Sequence, residues 1–249
     1  NLQPAKGGEV ANVFTFQIKD KSFCIKFNQL HKDKDRSIMK MEKRVMKELN
    51  QLGVKTPEPF DYGKNEQENN EYLIMECIQG PLLSEKWPEL ENKTDVLNQL
   101  LRILTKLPQI EVTGYGPLNE DLQGWKESFS QYIQHELEKF TQSKAADKLD
   151  KKTLEKTKQK LIAYAEDKDL DPTFVHADFR LRNFIYSPKG IYLFDYANAM
   201  SMDPVFDFIR FINLDQSDKG LSKQEVKYLR SNYPLYLTLQ DENVYKLLL

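Results

Sequence analysis

The hydrophobic period of this chain changes once, near residue 90, and that change excludes most architectures. Before it, "GEVANVFTFQIKDKSFCIKF" (residues 8–27) alternates apolar and polar positions: Phe14, Phe16 and Ile18, then Phe23, Ile25 and Phe27 after a turn at "KDK". This reads as two antiparallel strands with Ile25 facing the core. "DRSIMKMEKRVMKELNQLG" then places apolar residues at 38, 41, 45, 49 and 52, a helical spacing that Gly53 stops. The prolines of "VKTPEPF" impose extended chain, "EYLIMECI" reads as a buried strand, and more strand is expected around Phe60 to Tyr62. Beyond residue 90, "TDVLNQLLRILTKL", "WKESFSQYIQHELEKF" and "KKTLEKTKQKLIAYAED" carry the helical period, with only the short strands "NFIYS" and "GIYLFDY" after them. Strands with one helix, followed by helices, make an α+β chain. A βαβ repeat would alternate throughout.

Composition narrows the partners. A formal net charge of −2 gives no basic footprint for nucleic acid or anionic membrane. No run of 18 apolar residues exists, and "NLQPAKGGEV" lacks a charged-then-apolar leader pattern. Cys24 and Cys77 sit in strand-like runs, not in paired or metal-ligand spacing, which points to a reducing, cytoplasmic setting.

The residues that do not read as packing are crowded into "HADFRLRN" and "YLFDY". Asp178 precedes Asn183 by five residues, and Asp195 ends an apolar run. A carboxylate beside an attacking hydroxyl, with an amide oxygen near it, suits phosphoryl transfer. One amide and one carboxylate also suit Mg²⁺, which fills its octahedron with water and phosphate oxygens. Zinc would need further His or Cys ligands nearby. The alternatives are turn-capping Asx residues for the acids and amide, a hydrogen-bonded structural role for His176, and surface salt bridges for Arg180 and Arg182.

The pattern H-x-D-x4-N, then a strand ending in Asp, then "DPVFD", resembles the aminoglycoside phosphotransferase and choline kinase-like superfamily, which shares the protein kinase fold. The likeness runs through nearly the whole chain: "GEVANVF" is similar to its nucleotide-loop hairpin, "CIKF" to its third strand, "MEKRVMKEL" to its paired helix and "YLIMECIQGPLL" to its hinge. Gly-Glu in the loop, "TGYGPL" before "GWKESF", and "VHADF" resemble the hygromycin B phosphotransferase branch. The resemblance implies a two-lobed fold: residues 1–78, an antiparallel sheet with one helix, bind nucleotide. Residues 79–249, mainly helical, hold the catalytic loop and the acceptor site.

Residue by residue, it implies that Lys26 holds the α/β-phosphates of ATP or GTP, with Glu42 paired to it and Glu48 as the alternative. Asp178 accepts the acceptor hydroxyl's proton or orients that hydroxyl; independently of the resemblance, Arg180 and Arg182 both lie inside this loop and could steady phosphate charge. His176 and Asp207 brace the loop, while Asn183 and Asp195 bind Mg²⁺. Gly8 belongs to the nucleotide loop, Cys24 lies under the base, and the backbone of Glu76 and Ile78 meets the adenine edge. The acceptor is a small hydroxylated molecule. For a cationic aminoglycoside such as hygromycin B, Glu120, Asp121, Glu127, Asp215 and Asp218 could supply carboxylates. The metabolic alternative is choline, a sugar-amine or an amino alcohol; an aromatic cage would favour choline, and Trp125, Phe129 and Tyr132 are at helical spacing to contribute, although plain core packing is the preferred reading of the three. A silent nucleotide-binding module on the same scaffold is the reading from another class.

Overall fold

The computed structural model describes residues 2–4, 12–29, 36–65, 67–144, 146, 150–167, 170–217 and 220–237. Five strands form the N-terminal sheet: β1 (Gln3–Pro4), β2 (Asn12–Ile18), β3 (Lys21–Gln29), β4 (Pro59–Asn65) and β5 (Asn70–Glu76). They run antiparallel in the order β1-β2-β3-β5-β4. Helix α1 (Ile38–Gln51) follows β3, and Ser37 caps it by accepting from the Lys40 amide. Its buried stripe is Ile38, Met39, Met41, Val45, Met46 and Leu49, with Glu42 among them.

The register corrects one expectation. Lys26 lies opposite Leu73, and Asn28 opposite Glu71; Leu73, Glu71 and Lys26 are all buried. Ile25, expected to face the core, is only half-buried, and its face carries a layer of aromatic rings. Phe14 meets Phe27, Phe16 stacks on Phe23, and Phe23 meets the exposed Phe60. Alternation shows which residues share a face; it does not say which face the helix covers.

The chain leaves the sheet at Gly80, whose φ is +147. A Cβ there would collide with the Tyr186 carbonyl, so only glycine lets the two backbones meet. Immediately beyond, the Tyr186 amide donates to the Pro81 carbonyl and Leu82 bridges Ile185. The short helix α2 (Leu83–Lys86) leads to α3 (Lys93–Lys106), α4 (Phe129–Thr141) and α5 (Lys151–Asp167). Two small sheets then interrupt the helices. One joins β6 (Gly116–Pro117), β10 (Met200–Ser201) and β7 (Phe174–Val175); the other is the hairpin of β8 (Phe184–Ser187) and β9 (Gly190–Leu193). Helices α6 (Val205–Ser217), α7 (Lys223–Asn232) and α8 (Pro234–Leu237) complete the described chain. Sequence periodicity did not single out these last three: in α6, buried Phe206, Phe208, Ile209, Phe211 and Ile212 blur the period, whereas in α7 the Ser222–Glu225 capping box was an available signal. No helix of the described residues is long and apolar enough to cross a membrane.

Candidate active site

Lys26 projects from β3 into a cleft of about 1450 Å³ between the sheet and the helical part. Its Nζ is 2.7 Å from Glu42 Oε1 on α1 and 2.7 Å from Asp195 Oδ1. Burial disfavours the lysine's charge, but the two carboxylates overcome it and raise its pKa. Burial pushes Glu42 up to about 7 against the attraction of Lys26, with Asp195 and Glu71 adding repulsion. Glu42 Oε2 is buried without a hydrogen bond, which agrees with a carboxyl held close to neutrality. Glu48, the alternative partner, has no ion pair to Lys26.

The loop between β7 and β8 is fixed from below by one carboxylate. Asp207, near the start of α6, accepts from the backbone N–H of His176 at 2.6 Å and of Ala177 at 2.7 Å. Those bonds hold Ala177 at a φ of 59. Burial lifts the Asp207 carboxyl to about 7 against those two amides and Arg210.

His176 is fully buried and does not line the cleft. Its Nδ1 accepts from the Asp178 amide at 3.2 Å, so Nε2 carries the proton and donates to the Phe194 carbonyl at 3.1 Å. Burial lowers its pKa, and both nitrogens are committed to backbone. A neutral ring locked in this way positions the loop and transfers no proton.

That leaves Asp178 as the loop's carboxylate in the cleft. Oδ2 accepts from Asn183 Nδ2 at 2.8 Å and from Arg182 at 3.1 Å. Oδ1 has no hydrogen bond; Arg210 of α6 stands 3.7 Å away. Burial works to raise the Asp178 pKa, but Asn183, Arg182 and Arg210 outweigh it and hold the carboxyl below the usual range. The group is ionised at neutral pH, with Oδ1 buried beside Arg210. Arg210 was not anticipated from sequence; its position three residues after Asp207, nearly one helical turn, was the available signal.

The β8–β9 hairpin brings Asn183 and Asp195 together. Phe184 pairs with Leu193, and the Phe194 amide donates to the Asn183 carbonyl at 3.1 Å, so both residues flank the hairpin's open end. Asn183 Nδ2 is spent on the Asp178 carbonyl and carboxylate, leaving Oδ1 as the atom for a cation. Asp195 has a φ of 66, and its side chain is 41% exposed. Burial would raise its pKa, but Lys26, by charge and hydrogen bond, holds it low. Two hard oxygen donors with open positions fit Mg²⁺ bound partly by phosphate and water. Among the described residues no three His, Cys, Asp or Glu side chains cluster as metal ligands, so zinc-type coordination does not fit.

Cys24, Glu76, Cys77, Ile78 and Arg182 line the same cleft. Gly8 lies outside the described residues. Several other expectations are corrected. Arg180 does not line the cleft: its Nε is 3.7 Å from buried Asp215. That removes Asp215 from any acceptor wall. Glu120 accepts from the Ser37 amide and Asp121 sits 3.8 Å from Arg44, so both serve α1. Glu127 is exposed, and Asp218 is outside the described residues. Phe129 and Tyr132 are buried core residues while Trp125 is 53% exposed, so the three form no cage. Arg36, just before the α1 cap, went unnoticed in the sequence; it donates to the Leu118 carbonyl at 2.6 Å and the Ala197 carbonyl at 3.3 Å.

Comparison with known proteins supplies the family. No curated protein matches the chain by sequence. Solved structures do match by shape. A thermostable mutant of aminoglycoside phosphotransferase APH(4)-Ia, in ternary complex with AMP-PNP and hygromycin B, superposes at a TM-score of 0.78 with 19% identity, covering 99% of this chain and 82% of that one. The GDP and kanamycin complex of APH(2")-IIia gives 0.67 at 13% identity, covering 99% and 80%. A putative fructosamine-3-kinase from Haemophilus somnus 129PT gives 0.61 at 14%, covering 99% and 89%. At these identities the likeness is one of fold, the two-lobed kinase-like α+β architecture. The family model described as the phosphotransferase enzyme family (APH) matches residues 1–236, and the chain therefore belongs to that family.

Proposed function

We propose that this chain moves the γ-phosphate of ATP, or GTP, to a hydroxyl of a small molecule. The observation that carries the reading is the convergence, in one cleft, of Lys26 from β3, Asp178 and Asn183 from the β7–β8 loop, and Asp195 from beyond β9. We place the nucleotide against residues 1–78, with Lys26 on its phosphates and the backbone of Glu76 and Ile78 on its base edge. Residues 79–249 bear the catalytic loop and the acceptor side. Asn183 Oδ1 and Asp195 are the donors for Mg²⁺, which neutralises phosphate charge when bound.

Asp178 orients the acceptor hydroxyl. Because its neighbours hold its pKa low, it is a weak base, suited to taking the proton late, as the new P–O bond forms. Arg182 and Arg210 keep it ionised, and Arg182, half-exposed, can also face phosphate. The intact set argues against a silent module.

Hygromycin B is the first acceptor to test, since it is bound by the structurally similar APH(4)-Ia complex. Of the described carboxylates named from sequence, Glu120 and Asp121 serve α1 and Asp215 is buried beside Arg180, so a sugar-amine or amino alcohol belongs in the same screen. The experiment couples nucleotide consumption to panels of aminoglycosides, choline-like amines and aminated sugars. Acceptor-dependent consumption that Asp178→Asn abolishes supports the proposal. Equal rates in parent and variant contradict it.

A further inference from the structure

The cleft holds a feature that phosphoryl transfer does not use: both cysteines of the chain. Cys24 lies opposite Met75 in the β3–β5 ladder, and Cys77 follows two residues later, so the two are diagonal neighbours on one face. Both line the cleft, both are partly accessible, and neither is bridged. The Gln79 side-chain amide donates to Cys77 Sγ at 3.8 Å.

We propose that Cys24 and Cys77 form an oxidation site for peroxide-type oxidants, whose disulfide product closes the base end of the cleft to nucleotide. The second half of this statement rests on the nucleotide site described above; the first half does not.

Chemistry and geometry agree. The neighbouring Cys24 thiol draws Cys77 down, against burial and the charge of Glu76, while Cys77 and burial push Cys24 up. Cys77, one residue beyond the end of β5, is the attacking thiolate, and Cys24, held within β3, the resolving thiol. In the first step Cys77 sulfur takes an oxygen from hydrogen peroxide, whose O–O bond breaks, giving sulfenic acid and hydroxide. In the second, Cys24 sulfur attacks that sulfur, the S–O bond breaks, and the Cys24 proton leaves with the departing oxygen as water. The balance is two thiols and one peroxide to one disulfide and two waters.

Diagonal partners begin with Cα atoms about 7–8 Å apart, wider than a relaxed disulfide's usual ~5.5–6 Å. The bridge thus pulls the segment after β5 toward β3. Cys77 is one residue past the last β5 position, where its amide still donates to the Ser22 carbonyl at 3.3 Å, so little ladder resists the movement. A bridge formed under such tension is readily reduced, the property of a reversible site. Glu76 and Ile78, which flank Cys77, move with it, and their backbone is what the base would meet.

The test uses the full chain. Reduced protein is treated with hydrogen peroxide, the Cys24 and Cys77 peptides are analysed by mass spectrometry, and AMP-PNP affinity is measured before treatment, after it, and after dithiothreitol. The proposal expects a Cys24–Cys77 crosslink lacking two hydrogens, a loss of affinity of about tenfold or more, and recovery on reduction. In Cys77→Ser and in Cys24→Ser, whatever the starting affinity, peroxide leaves nucleotide binding unchanged. Sulfinic acid without a crosslink, or a crosslinked protein that binds AMP-PNP as before, overturns the proposal. Reduced protein that binds no nucleotide sinks the phosphotransferase reading instead, while the crosslink result still decides the oxidation site.

Discussion

Lys26 and Asp195, 169 positions apart in the chain, share a hydrogen bond of 2.7 Å, and Glu42 holds the same ammonium at an equal distance. One lysine thus ties the sheet, helix α1 and the end of the β8–β9 hairpin at a single atom. Because α1 is also anchored to the Asp195 segment by Arg36 on the Ala197 carbonyl, the position of Glu42 and that of Asp195 are set together.

The two candidate partners of Lys26 should therefore separate cleanly. Glu42→Gln removes the buried charge that fixes the ammonium, and kcat/KM for ATP should fall by roughly 10–100-fold. Glu48→Gln should match the parent. Steady-state kinetics of both variants with a common acceptor checks this; equal effects would contradict the assignment.

Acidity supplies an independent handle on Glu42. Its carboxyl stands at about 7 in the folded chain against an ordinary 4.5, so the folded state holds the proton more tightly. The stabilisation this gives is complete below 4.5 and is lost as pH rises through about 7. Parent stability relative to Glu42→Gln should decline across that window in urea melts. Activity should run the other way, rising as Glu42 ionises and its pair with Lys26 gains full charge. A difference in stability that does not vary with pH would refute the shift.

At the catalytic loop, Asp178→Asn keeps the shape but removes the charge that Arg182 and Arg210 face. Transfer should drop by about 10²–10⁴, with nucleotide affinity close to the parent's. His176→Ala should act through structure, because it leaves the Asp178 amide and the Phe194 carbonyl without partners. The expected cost is about 1–3 kcal/mol for each buried group left unpaired, read from denaturant unfolding. A pH–rate profile unchanged in shape in the surviving protein would mark a positioning role.

Much of the fold was legible in the sequence. The period-2 runs became β2 and β3, the 3.6-period run became α1, and "NFIYS" and "GIYLFDY" became the hairpin. The motif residues Asp178, Asn183 and Asp195 could be named because the H-x-D-x4-N spacing and the strand ending in Asp resemble a family pattern, and all three line one cleft. What stayed hidden depended on partners far along the chain. Nothing local tells that Arg36 reaches Leu118 and Ala197, that Glu71 beneath Ser37 supports the N-terminus of α1, or that Arg180 turns to Asp215. Nor does alternation reveal that Ile25 faces an aromatic layer on the outer face.

Gly80 tests the link between sheet and helices. Its φ of +147 is one that L side chains rarely adopt, and a methyl group would meet the Tyr186 carbonyl. Gly80→Ala should cost about 1–3 kcal/mol and loosen the Pro81–Tyr186 hydrogen bond, visible as faster amide exchange at Tyr186. Parent-like exchange there would show that the close approach is not needed.

The most direct measurement is calorimetric binding of AMP-PNP with and without Mg²⁺, to the parent chain and to Asp195→Asn. If Lys26, Asn183 and Asp195 gather a magnesium–triphosphate group, the parent binds, EDTA weakens that binding, and the variant loses the magnesium dependence. Nucleotide binding that is indifferent to Mg²⁺ in the parent, or equally magnesium-dependent in Asp195→Asn, would contradict the account.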